Sequence, residues 1–160
     1  MEGRDPVECG ADSLDPLRLD LQLCFALYTA SNLMTRAYRP LLEPLGLTYL
    51  QYLALMVLWE RAPQTVGDLR QRLGLDSSTL TPLFKRMEAA GLVTRTRDAA
   101  DERRVLIDLT PKARDLKAKA AAVPGAMLCQ IPLPLEEAAA LKGTVERLIE
   151  GFRRGDPGEA

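Results

Sequence analysis

Apolar residues recur along this chain with two different periods. Leu17, Leu21, Cys24, Tyr28 and Ser31 follow one another at alternating steps of four and three, which sets them on one face of a helix. Asp15-Pro16 offers an N-cap followed by proline at the first helical position. The pattern therefore predicts a helix from about residue 15 to Tyr38, stopped by Pro40, Pro44 and Gly46. From about Tyr49 to Glu60 the chain is apolar nearly all round and carries its single tryptophan, Trp59. That predicts a central, buried helix. Thr65, with Asp68 three residues on, makes a capping box for a short helix over Val66 to Leu73. Gly74 supplies a turn, Asp76-Ser77-Ser78 cap a further helix to about Ala90, and Gly91 ends it. Two short helices joined by a tight glycine turn form a helix-turn-helix candidate.

The period then changes. Leu92 to Arg97 and Val105 to Leu109 are β-branched or aliphatic stretches joined by a polar loop over residues 98–104. They read as a β-hairpin with a long charged tip, the wing of a winged helix. Thr110-Pro111 opens another helix towards Ala122, extended past Pro124 to Cys129, with an alanine-rich middle that admits a close partner. After Pro132 and Pro134, the residues Ala138, Leu141, Val145, Leu148 and Phe152 step by three and four in a coiled-coil-like seam. Such a seam packs either on a second subunit or on the chain's own first helix. The expected fold is mainly α with a small β-hairpin wing: a winged helix-turn-helix plus a helical dimerisation region. Residues 1–14 and 155–160 are expected as tails around one domain, 15–154. Within it the DNA-binding winged helix covers about 49–110, and the dimerisation helices about 15–38 and 111–154.

Composition narrows the function. At 160 residues the length suits one domain with a dimerisation arm, and no apolar run reaches the roughly 18 to 20 residues that span a bilayer. The acidic start lacks the succession of a secretion signal, so the expectation is a cytoplasmic protein without a membrane partner. Three scattered cysteines, Cys9, Cys24 and Cys129, and no histidine argue against a zinc site or any other bound metal or cofactor. They also exclude hydrolases built on a nucleophile beside histidine. The net charge of −1 is uninformative, but its distribution is not: Lys85 to Arg114 holds eight cations against five anions, +3 on an otherwise acidic chain. A local basic segment is a plausible phosphate-facing surface.

On the second helix of the motif, Leu80, Leu83, Phe84 and Met87 share a core face. The other side presents Ser77, Ser78, Thr79, Thr81, Lys85 and Arg86 to phosphates and base edges. Pro82 removes a backbone donor inside this helix. In the wing, Arg95 and Arg97 lie on the first strand and Arg103 and Arg104 at the tip, where arginine fits a narrow minor groove. Asp101 is counted with them, pairing with one of these arginines to stiffen the turn.

These residues resemble the MarR family of transcription regulators, over about Leu17 to Phe152, through the helix-turn-helix, the wing motif Asp101-Glu102-Arg103-Arg104 and the terminal helices. The narrower resemblance is to the organic-hydroperoxide-sensing OhrR branch. It rests on the runs Gln22 to Tyr28, Tyr38 to Leu42, Leu47 to Tyr52 and Leu75 to Pro82. Members usually carry Tyr-Pro-Gln where this chain has Tyr49-Leu50-Gln51, and Ser-Gly-Thr where it has Ser77-Ser78-Thr79.

The resemblance implies a non-enzymatic homodimer that binds a palindromic operator in double-stranded DNA and represses. It makes Cys24 the sensing cysteine, with Tyr38 and Tyr49 donating hydrogen bonds to its thiolate and Tyr28 lining the same pocket. A thiolate reacts where a thiol does not, and no basic side chain lies close to Cys24 in sequence, so phenolic donors are a reasonable source of stabilisation. It also implies that Cys24 sulfenic acid closes a disulfide with Cys129 of the other subunit. An apolar lining of Leu21, Phe25, Leu27 and Met34 suits organic hydroperoxides as the oxidant. Cys9 is incidental. The rival readings are a MarR regulator answering a small aromatic ligand with Cys24 inert, a thiol peroxidase, and a protein-docking winged helix.

Overall fold

The computed structural model describes residues 15–155, so the expectations made for Cys9 and for the outer tails fall outside the described residues. Helix α1 spans Leu23–Leu42, α2 Tyr49–Glu60, α3 Val66–Leu73 and α4 Ser77–Ala89. Strand β1 (Gln64–Thr65) precedes α3, and β2 (Val93–Arg97) and β3 (Val105–Leu109) form the wing. Helices α5 (Pro111–Ala120), α6 (Val123–Leu128) and α7 (Leu135–Gly155) complete the chain. The expected mainly helical winged helix-turn-helix is what forms.

The core centres on the winged helix, with Leu42 and Leu47 before it and Ala113, Ala120 and Val123 after it joining the same cluster. Leu55 and Leu58 of α2, Leu69 of α3, Leu80, Leu83, Phe84 and Met87 of α4, Val93 of β2 and Ile107 of β3 are all essentially fully buried together. Burying a leucine- or phenylalanine-sized side chain contributes about 1.5–3 kcal/mol, so this cluster fixes how α2, α3, α4 and the wing sit on one another. Two polar contacts tie α2 to α5. Trp59 Nε1 donates to the Ala113 carbonyl at 2.8 Å, and Lys117 Nζ donates to the Trp59 carbonyl at 2.9 Å.

Several local expectations are corrected. The first helix begins at Leu23, not near residue 15. Asp15 instead turns the chain by accepting from the Leu17 N–H at 3.0 Å, a single 3-10 turn follows at Leu19–Leu21, and Gln22 is extended. The Gln22 amide donates back to the carbonyls of Pro16 (2.9 Å) and Arg18 (3.1 Å), which holds that turn apart from the helix. At its other end α1 runs through Pro40 to Leu42. One ladder bond, to the Arg36 carbonyl, is lost there, but Leu42 beyond it is 1% exposed in the core and keeps the last turn in place. Gly46, at φ 66°, ends the segment in the left-handed region.

Asp76 precedes α4, but its side chain makes no capping bond; its backbone carbonyl accepts from Thr79 and Leu80 instead. The helix expected across Pro124 is two, because Pro124 occupies the first turn of α6 after a break at Ala121-Ala122. The sheet has a third strand that the residue pattern did not announce: β1 pairs antiparallel with β3, giving the order β1-β3-β2. Thr48 and Gln51 form a capping box on α2, with Thr48 N–H donating to Gln51 Oε1 at 2.9 Å.

The capping box foreseen for α3 is present. Thr65 Oγ1 donates to Asp68 Oδ2 at 2.6 Å, and the Asp68 N–H donates to Thr65 Oγ1 at 3.1 Å. The Thr65 hydroxyl and N–H bonds hold the Asp68 carboxyl below its usual pKa. A depressed carboxylate pKa gives a stabilisation that is present above the unfolded value of about 4 and lost as pH falls through the folded one. Thr65→Ala should therefore lower stability by about 1 kcal/mol at neutral pH. It should also flatten the loss of stability below pH 4, as read from denaturant midpoints across pH.

Candidate nucleic-acid interface and redox site

Helix α4 keeps one side exposed. Leu80, Leu83, Phe84 and Met87 turn inward, leaving Ser77, Ser78, Thr81, Lys85 and Arg86 in solvent and Thr79 half-buried. Pro82 sits inside the helix and is exposed, so the Ser78 carbonyl four residues earlier has no intrahelical donor. The wing loop turns its acids onto itself. Asp98 Oδ1 accepts from the Ala100 N–H at 2.9 Å, and Asp101 Oδ1 accepts from the Arg103 N–H at 3.1 Å and its Nε at 3.2 Å. Arg104 lies 4.0 Å from Asp98. The loop is thereby ordered while the Arg103 side chain stays 91% exposed at the tip. Asp101 thus takes the stiffening part considered for it.

Of the candidate redox residues, Cys24 and Tyr38 lie towards opposite ends of α1. Cys24 is exposed at the start of α1, with Tyr28 one turn further on and 67% exposed. Tyr38 lies near the helix's far end, where its ring stacks at 4.7 Å on Tyr49 of α2 and at 6.0 Å on Tyr52. Fourteen residues of α-helix at 1.5 Å each separate Cys24 from Tyr38 by about 21 Å. No cysteine and tyrosine side chains bridge that distance. The expected contact between the Cys24 thiolate and Tyr38 therefore does not form within one chain. Burial raises the pKa of Tyr38, and burial together with Tyr38 raises that of Tyr49. Both phenols accordingly remain protonated donors at neutral pH. Cys129, exposed, caps the C-terminus of α6.

A large apolar surface has no cover in the single chain. On and before α1 it includes Leu17, Leu23, Phe25, Leu33 and Met34, all exposed. On α7 it includes Leu141, Ile149 and Phe152, and no described residue of α7 is buried. Of the two partners open to the α7 seam, the chain's own first helix does not bury it.

The chain matches the family model of the transcriptional regulator SarA/Rot over residues 36–120. Over 139 residues it is 47% identical to the organic hydroperoxide resistance transcriptional regulator of Bacillus subtilis (strain 168), covering 87% of this chain and 95% of that one. The chain belongs to the MarR-like winged-helix transcription regulators, in the organic hydroperoxide resistance branch. Solved structures of AbfR, a protein of Staphylococcus epidermidis, resemble it too. Reduced AbfR bound to DNA matches with a TM-score of 0.71 at 34% identity, over 84% of this chain and 94% of that one. Disulfide-formed AbfR matches with a TM-score of 0.59 at 38% identity, over 82% and 92%. This MarR-family chain is a DNA-binding transcription regulator.

This regulator also carries a feature that the residue pattern did not announce. An open groove of about 280 Å³ runs between α2 and α5–α6, lined by Tyr52, Met56, Trp59, Ala120 and Pro124 with Lys117 at its rim. The steps from Tyr49 through Tyr52 and Met56 to Trp59, three, four and three, are the signal that was available for it.

Pro82 yields a test of α4. Pro82→Ala restores a donor to the Ser78 carbonyl and should raise stability by about 1–3 kcal/mol in urea unfolding. A neutral or destabilising result would show that α4 depends on the proline's fixed backbone angle.

Proposed function

We propose that this regulator represses its target until an organic hydroperoxide oxidises Cys24, and that a disulfide to Cys129 of the partner subunit then releases the DNA. The observation that carries the reading is the separation along α1 of Cys24 from Tyr38, whose phenol is paired with Tyr49 of α2. A thiolate stabilised by those donors has to receive them from a second copy, and the uncovered apolar faces of α1 and α7 are where a second copy would pack. Each dimer then holds two composite sites, with Cys24 and Tyr28 from one chain and Tyr38 and Tyr49 from the other. Leu21 and Phe25 are exposed close to Cys24 in the chain, and Met34 is exposed about 15 Å further along α1; together they would give the site an apolar wall.

The chemistry balances without a cofactor. The Cys24 thiolate attacks the distal oxygen of the hydroperoxide; the O–O bond breaks, and the alkoxide takes a proton and leaves as the alcohol. The sulfur becomes a sulfenic acid. The Cys129 thiol then forms the S–S bond while the S–O bond breaks, and its proton leaves with the hydroxyl as water. Two thiols are oxidised and one peroxide is reduced. A disulfide needs its Cα atoms within about 7 Å, so closure drags α1 and α6 of opposite chains together and turns the paired winged helices off their half-sites. In the bound state Ser77, Ser78, Thr79, Thr81, Lys85 and Arg86 of α4 face the major groove, and Arg97, Arg103 and Arg104 of the wing face the backbone or the minor groove. A palindromic operator matches the dimer's twofold axis.

The groove beside Trp59 favours a second reading, release by a small aromatic ligand with Cys24 inert. The two separate in one titration, following operator binding by wild type, Cys24→Ser and Cys129→Ser against cumene hydroperoxide. Oxidant should release wild type and leave Cys24→Ser bound, with dithiothreitol restoring binding. Cys129→Ser should yield no disulfide-linked dimer on a non-reducing gel. Binding by all three that ignores the oxidant overturns the sensor reading in favour of the ligand-responsive one.

A further inference from the structure

The alternation of β2 gives Arg95 an unexpected place. Val93, Arg95 and Arg97 share one face of the strand, and Val93 is buried in the core. Across the ladder Val93 pairs with Leu109 and Arg95 with Ile107, and Ile107 is fully buried. Arg95 thus lies on the inner face of the wing, next in line after a core valine, while Thr94 and Thr96 take the outer face. Its side chain is only 27% exposed, and its Nε is buried without a hydrogen-bond partner. The guanidinium reaches the last turn of α4, where Arg95 Nη1 stands 3.7 Å from Glu88 Oε2. Arg97, two residues towards the tip on the same face, is exposed and has no ion pair among the described residues.

We infer that Arg95 is a positioning residue for DNA recognition. With Glu88 it fixes the wing against the recognition helix and does not itself contact phosphate. The two DNA-reading parts of a winged helix must meet two neighbouring grooves at once, so the angle between α4 and the wing enters the affinity directly. Along the inner face of β2, the apolar contacts of Val93 hold the base of the wing. The Arg95–Glu88 pair is the next contact outward, and beyond it Arg97 is free to meet the backbone. A partly buried guanidinium with a carboxylate on a separate element suits that work, since its planar fork loses little freedom on pairing. It suits phosphate contact poorly, because meeting DNA would require withdrawing the head from Glu88 and from the apolar row.

Operator binding of the full-length reduced protein, measured at several salt concentrations, tests this. A phosphate contact contributes about 0.9 to the slope of log K against log salt. Arg95→Ala should weaken binding several-fold with the slope unchanged, whereas Arg97→Ala should lower the slope by about one contact. Glu88→Gln gives the opposite sign under the two readings. As a positioning partner its loss weakens binding to the same degree as Arg95→Ala, and the double variant is no worse than either single one. As a mere competitor for a phosphate-binding arginine, its loss strengthens binding. Glu88 is exposed enough for the substitution to leave the fold intact, and a thermal unfolding curve checks that it has. A slope that falls in Arg95→Ala, or tighter binding by Glu88→Gln, overturns the assignment.

Discussion

Helix α2 has to bury apolar side chains around nearly its whole circumference, and that requirement organises the molecule. Its Leu55 and Leu58 sink into the winged helix with Leu69, Leu80 and Phe84, so α3 and α4 are placed by it. Its Tyr49–Tyr52–Met56–Trp59 stripe looks the other way, towards α1, α5 and α6. Trp59 and Lys117 then lock α5 onto it through two backbone carbonyls. The element that supports α4 is therefore also the one that carries half of the tyrosine pair. A movement of α1 that disturbs Tyr49 acts on the same rigid body that positions α4, because a packed core shifts as a unit and does not deform smoothly.

The length of α1 supplies the second constraint. One helix carries the thiol at its start and a phenol near its end, and its rigidity keeps them about 21 Å apart. Under the proposed function, that arrangement makes the thiol–phenol site incomplete in one chain and complete in a pair. Dimerisation and sensing would then depend on the same exposed surface, and a Cys24–Cys129 disulfide across it would pull directly on the orientation of both winged helices.

Much of the fold is legible in the residues because its signals are local. Thr65 and Asp68, Gly74, Gly91 and the charged hairpin tip each fix their own few residues, and the stretch from Tyr49 to Glu60, apolar nearly all round, specifies α2. What was not legible depends on distant partners. Pro40 lies inside a helix because Leu42 beyond it is held by the core, and two-residue β1 exists only because β3 passes beside it. Gln22 ends the opening turn through bonds to Pro16 and Arg18 that no periodicity reveals. The candidate sensing residues were identifiable as types, but their separation along α1 was not, since a motif gives positions along the chain and not distances between them. Counting helical rise from Cys24 to Tyr38 is the step that converts one into the other. Arg95 shows the same lesson in a strand: its charge suggested DNA, and its alternation with Val93 placed it inside.

The most direct test of the composite site is a mixed dimer of one Cys24→Ser chain with one chain bearing Tyr38→Phe and Tyr49→Phe. Such a dimer holds one site with Cys24 and both partner phenols and one site with neither. The account predicts that its single Cys24 is oxidised by cumene hydroperoxide at the wild-type rate, at half the wild-type stoichiometry. If that thiol reacts as slowly as in the tyrosine-variant homodimer, the phenols act within their own chain or not at all, and the account is contradicted.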